Sequence, residues 1–522
     1  MTDNTVPASD ARPATRVFRS RRWLAVPVVA CLSLAAWLIG VGLPAQAEQT
    51  AMEPPPCTTP QPPPGPTILP GTPPTGTPTP TPVPQPGPEP PAPGPTTIGV
   101  IEQAYYCLFA HYYGGSTMDN RSLLTAAFGG LVQAINRGGR DVAEATMPPL
   151  TGDRHADWAA FAVAYERVMA KLPADEALRQ SLAEATMNAM VASLRDNHAR
   201  WMRPQPPPPG YQPGDMYGLG LEANANPIQV TTSPETVLGP LYVYTVLGGA
   251  AKAAGVRPGD VIESVNGSAP FPAGIASTGS ILSLYPRYPA AAPVRLQLMR
   301  PATGRKWTVT LRPGLFQPDE AVRQLVTSKL LRGDIAYVKL AGFAPDAAER
   351  VLQAIAELGA GRTLKGVILD LRNNHGGSPN AVNRLLGAFA HGKVTAYHCD
   401  ADGACDVDRT DDTVALLNLP LAVLTDNGCA SACDHFTSAV KAHQIAPLIG
   451  TRTAGAISGL AGPNLLSDNS ALVLPPKRHR GPNKEIVDRI GVAPDYYVPL
   501  TAKDISTGRD PAVSKALSLL GH

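Results

Sequence analysis

The sequence predicts an α/β protein, with a mainly parallel, helix-covered sheet in its C-terminal part preceded by a helical region and a β-rich module. Three observations carry this. Residues 98–203 place apolar residues three and four apart, and residues 217–312 run as short β-type stretches between Gly/Pro turns. Beyond Gly333, nearly continuous apolar runs such as "LKGVILDLR" and "PLAVLTD" alternate with amphipathic stretches. Strands buried on both faces need helices on both sides.

The 522 residues are 44% hydrophobic with a formal charge of +2, enough for two or three cores and too neutral to suggest nucleic acid as a partner. Residues 1–47 hold a basic patch, an apolar run from Leu24 to Leu43 and a small-residue "AQA". This reads as an export signal or an uncleaved anchor, and both place the remainder outside the cytoplasm; the membrane is met only through this segment. Residues 48–97 form a spacer: 21 of the 57 prolines fall between Pro54 and Pro95, a composition that favours extended polyproline geometry over packing.

Six cysteines follow the export segment, an even number that permits disulfides outside the cell. Cys399 and Cys405 flank the loop "CDADGAC". Cys429 and Cys433, four apart, either bridge or pack as two small apolar side chains. No Cys or His spacing suits a metal, and no cofactor is expected.

Helical stretches, "IGVIEQAYYCLFAHYY" through "ALRQSLAEATMNAMVASLRDNHARW", define a region over 98–203 that ends in the proline-rich "RPQPPPPGYQPGD". The β-rich module over 215–315 resembles a PDZ domain, by "YGLGLE" and "AAKAAGVRPGDVIESVNG". The resemblance implies a loop of Gly218, Leu219, Gly220 and Leu221 whose amides hold a peptide's terminal carboxylate while the ligand adds a strand.

In the core, residues 320–510, two strand ends run into loops of functional composition, "LRNNHGGSP" and "DNGCASACDHF". Together with "PLIGTRTAG" and "GVAPD", these segments resemble the C-terminal-processing (tail-specific) serine peptidase family, which includes the tricorn core protease and the repeats of interphotoreceptor retinoid-binding protein. The resemblance covers roughly residues 98–500 and implies a ClpP/crotonase-like core. It places the nucleophile at Ser431, between two small residues in "CASACD". A serine at a helix start lies near the positive end of the dipole and beside exposed N–H groups, which suits an oxyanion; the alternative is a serine that merely caps the helix. The amide of Ala432, with Gly376 or Gly377 of "NNHGG", is the candidate oxyanion hole, since glycine lets backbone approach substrate closely.

The proton acceptor is the open question. In the processing peptidases of this family a lysine follows the serine by about 25 residues, whereas here that count lands on Ala456 in "TAGAIS". His375 stands beside the oxyanion glycines as a base, a substrate contact or an ordinary loop residue. His435, one helical turn after Ser431, is expected to point along the helix and away from the attack side. His198 in "LRDNHARW" matches the Leu-x-Asp-x-His run of the tricorn-like branch, where the histidine is the general base; otherwise it is a histidine at a helix C-terminus. Asp488, three residues before Gly491, stands where that branch orients its histidine with a glutamate. The reading is an exported, PDZ-assisted serine endopeptidase with a Ser431, His198 and Asp488 triad, acting on proteins or peptides recognised by their C-terminus. The alternative is a catalytically inactive relative that binds peptides or apolar ligands at the cell surface.

Overall fold

In a computed structural model of the chain, the described residues are 56–58 and 92–521, apart from 226, 233, 235–236 and 290–291. The export segment 1–47 and most of the proline-rich spacer lie outside them. Among the described residues no helix is long and apolar enough to cross a membrane.

Four helices, Ile98–His111, Asn120–Arg137, Arg154–Met169 and Glu176–Ala192, pack around buried Ile101, Tyr105, Leu124, Phe161 and Met187. Each begins at a polar cap, Thr97, Asp119, Asp153 or Asp175, whose side chain accepts from a first-turn N–H. A disulfide between Cys57 and Cys107 ties the spacer to the first of these helices, a pairing that the sequence did not single out. The last helix stops at Ala192, short of the end its periodicity suggests. Arg195 adopts a left-handed conformation, and Asp196 Oδ1 accepts from the N–H groups of His198 and Ala199. This local turn competes with helix continuation. Arg200–Met202 is a strand antiparallel to Ala471–Leu474, so His198 lies in a loop rather than at a helix C-terminus.

The β-rich module uses the period-2 pattern directly: in Val294–Arg300, Val294, Leu296 and Leu298 face a core shared with Leu221, Val243 and Ile262. The central sheet has the strand order Tyr496–Tyr497, Leu448–Gly450, Leu421–Thr425, Gly366–Asp370, Ile335–Leu340, Val326–Leu331. All neighbours are parallel except the last pair. Val367, Leu369 and Val423 face the helices Ala347–Gly359, Pro379–Gly387 and Ala432–Ala442, while Ile368, Ala422 and Leu424 face the helix Pro511–Leu519. Both faces are covered, which is why these strands read as unbroken apolar runs.

The carboxyl end of the strand Gly366–Asp370 is fixed by a buried ion pair. Arg372 donates from Nε and Nη2 to Asp370 and reaches Asp510 beside the C-terminal helix, and Tyr337 also donates to Asp370. Burial alone would raise the Asp370 carboxyl; the adjacent guanidinium outweighs it and holds the group well below the usual carboxylate range. Removing one partner strands a buried charge, so Arg372→Ala is expected to cost roughly 3–5 kcal/mol by chemical denaturation. A cost below about 1 kcal/mol would show that this pair does not hold the strand end.

Candidate active site

Ser431 immediately precedes the helix Ala432–Ala442, as its N-cap, with φ 57° and ψ −118°. The helix therefore begins after the serine, and of the two readings of Cys429 and Cys433 the bridge is the one present, a disulfide that spans this turn. A positive φ is rare for serine, and such strain persists only where the surroundings impose it. Here the surroundings are a buried carboxylate. Asp434 accepts from the N–H of Ser431 and of Ala456 at 3.0 Å each, from the N–H of Gly455 at 3.0 Å, and from the Thr453 hydroxyl. Burial pushes its carboxyl up to about 7 while these donors pull the other way. The Ser431 N–H also donates to the carbonyl of Ala456, so the position that carries lysine in the processing peptidases supplies only backbone here.

The loop 371–378 closes the other side. Gly376 (φ 94°) lies so near the serine turn that a Cβ would sit 2.6 Å from Ser431 Cβ, and a Cβ on Gly377 (φ 140°) would sit 2.2 Å from the Phe343 carbonyl oxygen. Glycine is required at both. The two differ as donors: the Gly376 N–H is taken by Asn374 Oδ1 at 2.9 Å, whereas the N–H groups of Gly377 and Ala432 have no hydrogen-bond partner among the described residues. Of the two expected glycines, Gly377 is thus the one available to pair with Ala432.

His198 Nε2 lies 3.2 Å from Ser431 Oγ, although 233 residues separate them. Its loop is pinned by Asp196, which accepts from the backbone of His198 and Ala199 and from the hydroxyls of Ser458 and Tyr112. The partner of His198 Nδ1 is the neighbouring Asn197, whose Oδ1 is 2.5 Å away, and Asn197 Nδ2 in turn donates to Asp488 Oδ1 at 2.9 Å. This corrects the direct His198–Asp488 contact expected from the sequence: the short aspartate stops one residue back, and Asn197 spans the gap. The relay also sets the tautomer. A carboxylate only accepts, so the amide nitrogen faces Asp488 and the amide oxygen faces the imidazole; Nδ1 then carries the proton and the Nε2 lone pair faces Ser431. Burial lowers the His198 pKa below 6.5, Asp196 acting in the opposite sense, and burial raises that of Asp488.

The other histidines fall elsewhere. His375 is exposed and lines a separate cavity with Glu222, Tyr285 and Asn373, facing the β-rich module. His435 is fully buried and, contrary to the expectation from helical spacing, lines the small pocket that holds Ser431, together with His398 and His479. The difference arises because Ser431 is the cap and not a helical residue. Asn197, Asp434 and the two further histidines were not singled out from the sequence; the adjacency of Asn197 to His198 is the only local signal for any of them. Cys399 and Cys405 are directly opposed in an antiparallel pair and disulfide-bonded.

An alcohol on a strained turn at the carboxyl edge of a parallel sheet, within reach of a neutral imidazole and beside two backbone donors, is the layout of a hydrolase that works by acyl transfer. Comparison with known proteins finds that residues 334–498 match Peptidase family S41. Carboxyl-terminal-processing peptidase 2, chloroplastic, of Arabidopsis thaliana is 30% identical over 315 residues, 59% of this chain and 59% of that protein. The carboxyl-terminal-processing protease of Synechocystis sp. (strain ATCC 27184 / PCC 6803 / Kazusa) is 27% identical over 341 residues, 63% of this chain and 75% of that protein. The chain thus spans about three-fifths of the length of the Arabidopsis relative. Among solved structures, a photosystem II D1 C-terminal processing protease aligns with a TM-score of 0.49 and 23% identity, over 78% of this chain and 93% of that one.

The lowered His198 pKa fixes a pH dependence. The base must be neutral, so the rate at which a fluorophosphonate modifies Ser431 is expected to be level at neutral pH and to fall on acidification through a midpoint below 6.5. Asn197→Ala should slow the modification roughly 10–100-fold by freeing the ring. A midpoint at or above 6.5 would contradict the buried, neutral imidazole.

Proposed function

We propose that the protein is an exported serine endopeptidase that processes proteins or peptides by a Ser-His mechanism. The observation that carries this is the 3.2 Å approach of His198 Nε2 to Ser431 Oγ. His198 takes the hydroxyl proton as Ser431 Oγ attacks the scissile carbonyl carbon, and the carbonyl electrons move to an oxyanion received by the N–H groups of Ala432 and Gly377. The imidazolium so formed donates through Nδ1 to Asn197 and delivers its other proton to the leaving amine, after which water repeats the cycle on the acyl-enzyme. Asn197 is neutral, and the negative charge of Asp488 acts one residue further back. The Asp488 role is therefore to orient Asn197, and the nominal triad is a four-residue relay. Ala456, in the lysine position of the processing peptidases, is what favours the inactive, peptide-binding alternative.

The β-rich module is read as a PDZ domain that recruits substrate by its C-terminus. Gly218 and Gly220 both adopt positive φ, and the N–H groups of Leu219 and Gly220 are without partners among the described residues, as a carboxylate loop requires. The Tyr285 hydroxyl accepts from the Ala223 N–H at 3.0 Å and donates to the Ala225 carbonyl at 2.7 Å. A ligand strand added to Leu221–Ala223 therefore meets Tyr285 after a short pairing, which leaves much of the affinity to the carboxylate.

Two outcomes follow for this reading. His198→Ala and Ser431→Ala should each lower peptide hydrolysis by roughly 10⁴-fold or more, and the double variant should be little worse, since groups acting as a unit are non-additive. Near-normal turnover by a folded His198→Ala protein would exclude His198 as the base. Peptides with a free apolar C-terminus should bind about tenfold or more tightly than their amidated forms by calorimetry, because amidation removes a charge-assisted partner of the loop amides. Equal affinities would remove the carboxylate-loop role.

A further inference from the structure

Beside Ser431 the structure holds three buried histidines that the mechanism above does not use. His479 lies edge-on to His398 and tilted against His435, each ring centroid 5.4 Å from its own. All three rings are more than nine-tenths buried, at 7%, 1% and 0% exposure for His398, His435 and His479. Four of their nitrogens, His398 Nδ1, His435 Nε2 and both of His479, are buried with no hydrogen-bond partner among the described residues. Only His398 Nε2 is engaged, by Asp408 at 3.2 Å. Buried polar atoms are rarely left unpaired, and each such group costs free energy unless something fills it.

The cluster does not close around a metal ion. Among the described residues, the one group of three ligating side chains whose donor atoms lie within 4.8 Å of one another is Cys57, Cys107 and His111, and its two sulfurs are joined in a disulfide. The histidines instead wall a small pocket. Ser431 and Gly377 stand at the pocket together with His398, His435 and His479, Leu460 adds an apolar side, and the space available to the centre of a water-sized group is ≈ 20 Å³. That is room for a small group only.

We propose that this pocket receives the side chain of the residue whose carbonyl Ser431 attacks, and that it selects a short side chain bearing a hydroxyl or carboxamide, such as serine, threonine or asparagine, over alanine or leucine. The inference rests on the serine peptidase reading and deepens it. Position supports it, because the pocket adjoins both the nucleophile and the candidate oxyanion donor Gly377. Chemistry supports it equally. Burial pushes His435 down to about 4 and, with its neighbouring histidines, holds His479 well below its ordinary range, so both rings are neutral near pH 7. A neutral imidazole offers one donor and one acceptor. A hydroxyl or amide can both give to and accept from these rings with no change of charge, whereas a carboxylate only accepts and brings a charge into the pocket, and an alkyl group would leave the four nitrogens unpaired.

The test is hydrolysis of amidated peptides that differ only at the attacked residue, Ser, Asn, Ala or Leu; amidation removes any contribution from the proposed carboxylate loop. The kcat/KM for Ser and Asn is expected to exceed that for Ala by roughly tenfold or more, with Leu poorest. His479→Leu should reverse the order of Asn and Leu, and the native series stands without it if that variant does not fold. Equal rates for Ser and Ala, or a preference for Leu, would overturn the proposal. Binding of the same peptides to Ser431→Ala separates this proposal from the peptidase reading. Discrimination in binding without hydrolysis by the native protein would remove the peptidase reading and leave the pocket standing. Hydrolysis indifferent to the side chain would remove the pocket alone, and indifference in both assays would also overturn it.

Discussion

The site depends first on the backbone of Ser431. A serine at φ 57° and ψ −118° is held roughly 1–3 kcal/mol above an ordinary conformation, and nothing in the residue itself favours it. Asp434 supplies the restraint. One buried carboxylate gathers the N–H of the strained residue and donors from Thr453, Gly455 and Ala456, so the Ser431 turn and the segment after the strand Leu448–Gly450 are fixed to a common point. Loss of that point would relax the turn and move the hydroxyl, the Ala432 amide and the pocket behind it together.

The histidine comes from the other end of the chain and needs its own support. The helix Glu176–Ala192 stops early, Asp196 gathers the loop, and Arg200–Met202 pairs with Ala471–Leu474 in a sheet that belongs to the C-terminal half. Trp201 Nε1 adds a bond to Ser470 Oγ at 2.8 Å. The N-terminal helices thus help to frame the candidate site, because their exit strand brings the His198 imidazole to Ser431. Asn197 then solves a reach problem: an aspartate is too short to meet the ring from position 488, and an amide with one donor and one acceptor spans the distance while keeping the direction of the hydrogen bonds.

The sheet was legible because strands covered on both faces must be apolar throughout, as Gly366–Asp370 and Leu421–Thr425 are, and the loops at their ends stood out by glycine content. Ser431, Gly376, Gly377 and His198 could be located through motifs. What local pattern could not carry was direction. Helical spacing turned His435 away from the serine, yet the serine lies outside the helix and both line one pocket. Asp488 could be placed but its distance from the ring could not, since that depends on how closely two remote segments approach. Asn197 looks like an ordinary loop residue until Asp488 is seen behind it. The pairing of Cys57 with Cys107, 50 residues apart across a proline-rich spacer, is likewise a property of the folded chain.

In the proposed mechanism Asp488 and Asn197 fix the proton on His198 Nδ1 and leave the Nε2 lone pair facing Ser431 Oγ. Nitrogen-15 chemical shifts of the imidazole at neutral pH, assigned by comparison with His198→Gln, read the tautomer directly. A neutral ring protonated at Nδ1 is expected, shifting toward the other tautomer or a mixture in Asn197→Ala. A native ring protonated at Nε2, or charged at pH 7, would contradict it.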